Sequence, residues 1–88
     1  TAVRRSTQYL AELQLQGHAF VHIMLFEYDA AGMLLGHHLI GETALGKKPE
    51  RVFRRRIVTG GSTAFVRIAV EHRGVSSVRI RRASLAAL

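Results

Sequence analysis

Apolar and polar side chains alternate with a period of two along most of this chain, the spacing at which successive strand residues point to opposite faces. The clearest case runs from Ala64 to Glu71: Ala64, Val66, Ile68 and Val70 fall on one side, Phe65, Arg67, Ala69 and Glu71 on the other. A second run follows a glycine-containing break, with Val78 and Ile80 on one side and Ser77, Arg79 and Arg81 on the other. The two runs predict a hairpin. Matching Val70 to Val78 and Ile68 to Ile80 keeps the apolar faces together and leaves residues 72–76 as the loop, because a one-residue slip would turn every apolar side chain into water. That register sets Arg67 opposite Arg81, with Arg79 beside Ala69 and Glu71 as the one acid.

The remaining elements are read in the same way. Tyr9, Ala11, Leu13 and Leu15 alternate with Leu10, Glu12, Gln14 and Gln16 and predict a strand; Ala, Glu, Leu and Gln also favour helix, but the alternation and Gly17 argue for strand. After a turn at Gly17 and His18, Ala19 to Tyr28 predicts a strand in which Ala19, Val21, Ile23 and Leu25 make one apolar face and Phe20, Met24, Phe26 and Tyr28, interrupted by His22, the other, as in a central strand or one with an interface behind it. Asp29 to Gly32 is a turn, and residues 33–42 return as a short strand broken by Gly36, a position that suggests a bulge. Residues 43–50, with Pro49, read as a loop, Arg51 to Val58 as a strand without a cleanly apolar face, and residues 59–62 as a turn. The first seven residues read as a polar lead-in and residues 83–88 as a tail in which Leu85 closes the core. About six strands at short spacing without a helix predict an all-β antiparallel sandwich, a single domain over residues 1–88.

Composition narrows the partners rather than the fold. Thirteen Lys and Arg against six Asp and Glu give a formal charge of +7, which favours anionic ligands: nucleic acid, acidic polysaccharide or lipid head groups. With no cysteine, disulfides and thiolate metal sites are excluded. No apolar run approaches the roughly 20 residues of a membrane helix. The start at Thr1, without methionine, suggests a piece of a longer protein.

Taken in order, four segments resemble the carboxyl-terminal part of jelly-roll carbohydrate-binding modules, the galactose-binding-like β-sandwiches of glycoside-active proteins. They are Tyr9 to Leu15, FEYDAAGMLLG at 26–36, RVFRRRIVTGGSTAFVRIAV at 51–70 and GVSSVRIRRASL at 74–85. The resemblance implies a jelly-roll sandwich that binds glycans without catalysis. It also implies missing first strands, whose place a second copy or the rest of a parent protein would fill. Two departures bear on the site. Such modules often carry acidic residues and a structural calcium before the final Ser-Leu; Arg81 and Arg82 stand there instead, so no metal is expected. There is no tryptophan, which leaves Phe20, Phe26, Tyr28, Phe53, Phe65 and Tyr9 as the aromatics, for most of which period-two placement favours the core.

The candidate ligand-binding residues are Arg67, Arg79 and Arg81, whose guanidinium forks suit carboxylate, sulfate or phosphate, with Glu71 orienting one of them. His22 and Gln14 offer hydrogen bonds and Phe65 packs a sugar face. The competing reading of the arginines is a solvated face. Arg54, Arg55 and Arg56 alternate sides and read as a protective edge. His18 and His22 would lie about 13 Å apart on a strand, too far for one ion, and His37 and His38 point to opposite faces. The serines and carboxylates form no catalytic arrangement legible in the sequence. The expectation is a non-catalytic module with no cofactor that binds an acidic glycan or other anion and associates with itself or a parent protein. A structural or assembly module is the alternative, and a nucleic-acid binder comes third because aromatics are not interleaved with the basic positions.

Overall fold

The structure is a computed structural model that describes residues 1–17, 19–45, 50–73 and 78–88. Six strands carry it: β1 (Gln8–Gly17), β2 (Ala19–Tyr28), β3 (Leu34–Leu45), β4 (Arg51–Val58), β5 (Phe65–Arg73) and β6 (Val78–Ala87). All pairings are antiparallel, in two three-stranded sheets ordered β4-β1-β6 and β3-β2-β5. The protein is therefore an all-β sandwich, as the alternation implies.

The hairpin expected between residues 64–71 and 77–81 does not form. β5 pairs with β2, setting Ile68 against Leu25 and Val70 against Ile23, whereas β6 pairs with β1 in the other sheet. The reason is that alternation fixes which side of a strand is apolar but not its neighbour. β1 and β2 are the most apolar strands, and each takes two partners as the centre of a sheet. The expected turn at 72–76 is strand through Arg73; the rest of it lies outside the described residues, as do His18, Pro49, Lys47 and Lys48. The expected loop at 43–50 is strand as far as Leu45, and the expected tail is β6 through Ala87. β3 runs unbroken over twelve residues. Its register shifts at Leu35, next to Gly36, and again at Ile40, next to Gly41, so a bulge does fall where the glycine suggested.

The core lies between the sheets. Leu13, Leu15, Val21, Ile23 and Leu25 are fully buried, joined by Tyr9, Ile40, Leu45, Phe53, Ile57 and Val66. Phe53 and Ile57 settle the face of β4: they point inward with Arg55, while Val52, Arg54, Arg56 and Val58 point out. Burial is lopsided. Phe53 and Ile57 of β4 are covered, but the inward residues of β6 are not: Ile80 is 54% exposed and Leu85 only half-buried, and on β5 Ile68 and Val70 are half-buried too.

Two glycines make the chain path possible. Gly32, at φ +84°, closes the β2–β3 turn, where its N–H donates to the Asp29 carbonyl (3.0 Å) and Asp29 Oδ1 accepts from Ala31 and Met33 N–H (2.9 Å each). Gly17, at φ 151°, stands where β1 ends, a backbone setting that a side chain disfavours. The lead-in is ordered, contrary to its polar composition. Ala2 bridges Phe65, Val3 N–H donates to Ala64 C=O (3.0 Å), and the buried Thr59 accepts from Thr7 N–H (3.0 Å) while donating to Arg4 C=O (2.5 Å).

Candidate functional site

Because β2 is central, its outward residues line the middle of a sheet face with neighbours on both sides. Reading across β3, β2 and β5, the rows are Ala44–Phe20–Arg73, Glu42–His22–Glu71, Leu39–Met24–Ala69, His37–Phe26–Arg67 and Leu34–Tyr28–Phe65. At about 3.4 Å per residue the five rows span about 27 Å. Phe20 and Phe65 are 39% and 43% exposed, and Phe26 and Tyr28 half-buried. Four of the six aromatics thus face outward; of the others, Tyr9 and Phe53 have the core places expected.

Polar groups punctuate this apolar strip. His22 Nδ1 lies 3.2 Å from Glu42 Oε2, with Glu71 opposite on the other flank. The Arg67 guanidinium sits over the Phe26 ring at 5.4 Å, and His37 packs against the same ring at 6.3 Å with a 54° tilt. Stacking on an aromatic face leaves the edge of a guanidinium fork available to an oxyanion. Toward the Phe20 end, an open hollow of about 680 Å³ is lined by Phe20, His22, Glu42, Glu71 and Arg73 among others.

Four of the residues singled out in the sequence, His22, Phe65, Arg67 and Glu71, meet on this face, brought there by pairing with β2 rather than by a hairpin. The other three do not join them. Gln14 points outward from the opposite sheet and donates to Glu50, whose carboxylate is 3.8 Å from Arg81. Arg79 pairs with Gln16, and Arg81 is the bulged residue between the Gln14–Arg82 and Leu15–Ile80 pairs. Arg67 and Arg81 therefore belong to different sheets and do not form one cluster. The outward face of that second sheet carries Arg54, Arg56, Arg79 and Arg82, with Glu12 holding Arg54 at 2.6 Å.

Of the outward aromatics, Phe65 was singled out from the sequence, whereas Phe20, Phe26 and Tyr28 were missed. The signal was the apolar even positions of Ala19 to Tyr28, which fit an exposed binding strip as well as a covered strand.

A buried polar knot closes the end of the sandwich beside Tyr28. Glu27, 7% exposed, accepts from Gly60 N–H and the Thr63 hydroxyl (2.9 Å each) and pairs with His38 Nε2 at 2.7 Å. Burial pushes its carboxyl up, but the Gly60 N–H, His38 and Thr63, all favouring the anion, outweigh burial and hold it below the ordinary glutamate range. Among the described residues no group of three or more His, Asp or Glu is placed to hold a metal, and no helix is long and apolar enough to cross a membrane. Comparison with family models, curated proteins and solved structures finds no match to this chain.

Proposed function

We propose that this protein is a non-catalytic module that binds a glycan across the outward face of the β3-β2-β5 sheet, as the resemblance to jelly-roll carbohydrate-binding modules implies. The observation that carries this reading is the line of outward aromatics, Phe20, Phe26, Tyr28 and Phe65, interrupted by His22, Glu42, Glu71 and Arg67. Ring faces take the C–H faces of pyranoses, and the His22 and carboxylate groups take hydroxyls. Arg67 and Arg73 suit the carboxylates of an acidic sugar. Arg79, Arg81 and Gln14 stand outside this surface.

A glycan array read at low salt and at about 1 M salt, where the Debye length is only about 3 Å, tests it. Binding of uronate-containing oligosaccharides is expected to persist at high salt and to fall about tenfold, or about 1.4 kcal/mol, in Phe26→Ala. Absence of saccharide binding at either salt overturns the reading.

A second reading rests on Arg54, Arg56, Arg79 and Arg82 across the opposite sheet: retention of polyanions by charge alone. In that case affinity falls steeply with salt for single-stranded DNA and acidic polysaccharide alike, and Phe26→Ala leaves it unchanged.

A further inference from the structure

β5 is the outer strand of its sheet, and among the described residues its second edge is used only at its start. There, Thr1 to Val3 add a short antiparallel stretch: Ala2 bridges Phe65, Val66 N–H donates to Thr1 C=O (2.9 Å), and the Thr1 amino group donates to Val66 C=O (3.1 Å). Backbone groups alternate sides along an antiparallel strand, so Ile68, Val70 and His72 present their N–H and C=O to the same open side as Val66. At the start of this edge lies an open cleft of about 560 Å³ between β5 and β6, lined by Thr1, Phe65, Val66, Ile68, Ala83 and Leu85 among others. A strand edge with unmade hydrogen bonds beside an uncovered apolar floor is a docking geometry for another strand.

We infer that the edge of β5 from Arg67 to Arg73 binds an extended segment of a partner polypeptide, in antiparallel register, with apolar residues facing the cleft and acids at its two ends. The register dictates the pattern. Inward positions opposite Ile68, Val70 and His72 are apolar, because they cover the half-buried Ile68 and Val70 and the exposed Ile80. Outward positions opposite Arg67 and Arg73 are acidic, the position opposite Glu71 is neutral or basic, and the one opposite Ala69 is small. A second copy of this chain fits poorly. A β5–β5 pairing centred on Val70 sets Arg67 opposite Arg73, and one centred on Ala69 sets Arg73 opposite Phe65, where Ala2 already bridges, in a protein of formal charge +7.

The probe is the peptide Glu-Val-Gln-Val-Ser-Val-Glu, written to lie opposite Arg73 through Arg67. Its binding is followed by amide hydrogen exchange, with Lys-Val-Gln-Val-Ser-Val-Lys and the non-alternating Val-Val-Val-Gln-Ser-Glu-Glu as controls. The acidic alternating peptide is expected to slow exchange at Ile68 and Val70 about tenfold or more, the two controls not. Val70→Pro removes one open-side N–H, a change tolerated on a strand edge, and should abolish the protection. If that variant does not fold, Arg67→Glu combined with Arg73→Glu should switch the preference to the Lys-ended peptide. Equal binding of either control, no protection by any peptide, or amides already protected in a peptide-free dimer seen by sedimentation would each overturn the proposal.

Discussion

Glu27 shows how a single residue depends on groups far away in the chain. Its odd-numbered position puts it on the core side of β2, and period-two reading reaches that far. Its partners could not be read: His38 comes from β3, while Gly60 and Thr63 come from the segment leading to β5, and only the folded chain brings them together. With its folded pKa held down, Glu27 contributes stability that is fully present above the unfolded glutamate value of about 4.3 and is lost as pH falls through the lower folded value. Glu27→Gln keeps the shape but loses the charge that Gly60 and His38 stabilise. It should cost about 1–3 kcal/mol in denaturant unfolding at neutral pH and flatten the fall in stability below pH 4.3. An unchanged acid limb in the variant would assign the acid sensitivity to other carboxylates.

At the level of strands, the sequence is legible for existence and facing but not for partnership. Alternation locates β1, β2, β4 and β5 within a residue or two. It does not say that β6 leaves β5 for β1, because Val78 and Ile80 would match an apolar neighbour in either sheet. Nor does it reveal how unevenly the strands are covered. Leu13, at the centre of its sheet and fully buried, should cost about 2–5 kcal/mol on truncation to Ala, whereas Ile80→Ala, at 54% exposure, should stay below about 1 kcal/mol. Urea midpoints of the two variants give the comparison directly. At Gly41 the two sheets approach closely: a Cβ there would meet the Phe53 ring at 2.3 Å. Gly41→Ala should therefore destabilise by about 1–3 kcal/mol through displacement of that ring, read as a lower melting temperature with altered Phe53 side-chain resonances.

The molecule as a whole is more extended than its length requires. Its radius of gyration is 13.7 Å with extents of 40 × 25 × 16 Å, against about 12 Å expected for a compact domain of this length. The excess agrees with a sandwich closed along β3 and β4 and open along β5 and β6. A chain open on one side should bind a hydrophobic dye such as anilinonaphthalene sulfonate in its native state, and the acidic alternating peptide should displace it. Dye fluorescence unaffected by saturating peptide would place the accessible apolar surface elsewhere.

The pairing of β1 with β6 carries a further consequence. Tyr9 stands opposite Ala87, and the Leu88 N–H donates to the Gln8 carbonyl at 3.0 Å, so β1 waits for β6, far along the chain, before its sheet is whole. Such distant closures slow folding to about milliseconds to seconds. Until β6 has been made, β1 lacks one of its two neighbours and keeps an unpaired edge, which makes the nascent polypeptide a natural client for chaperones.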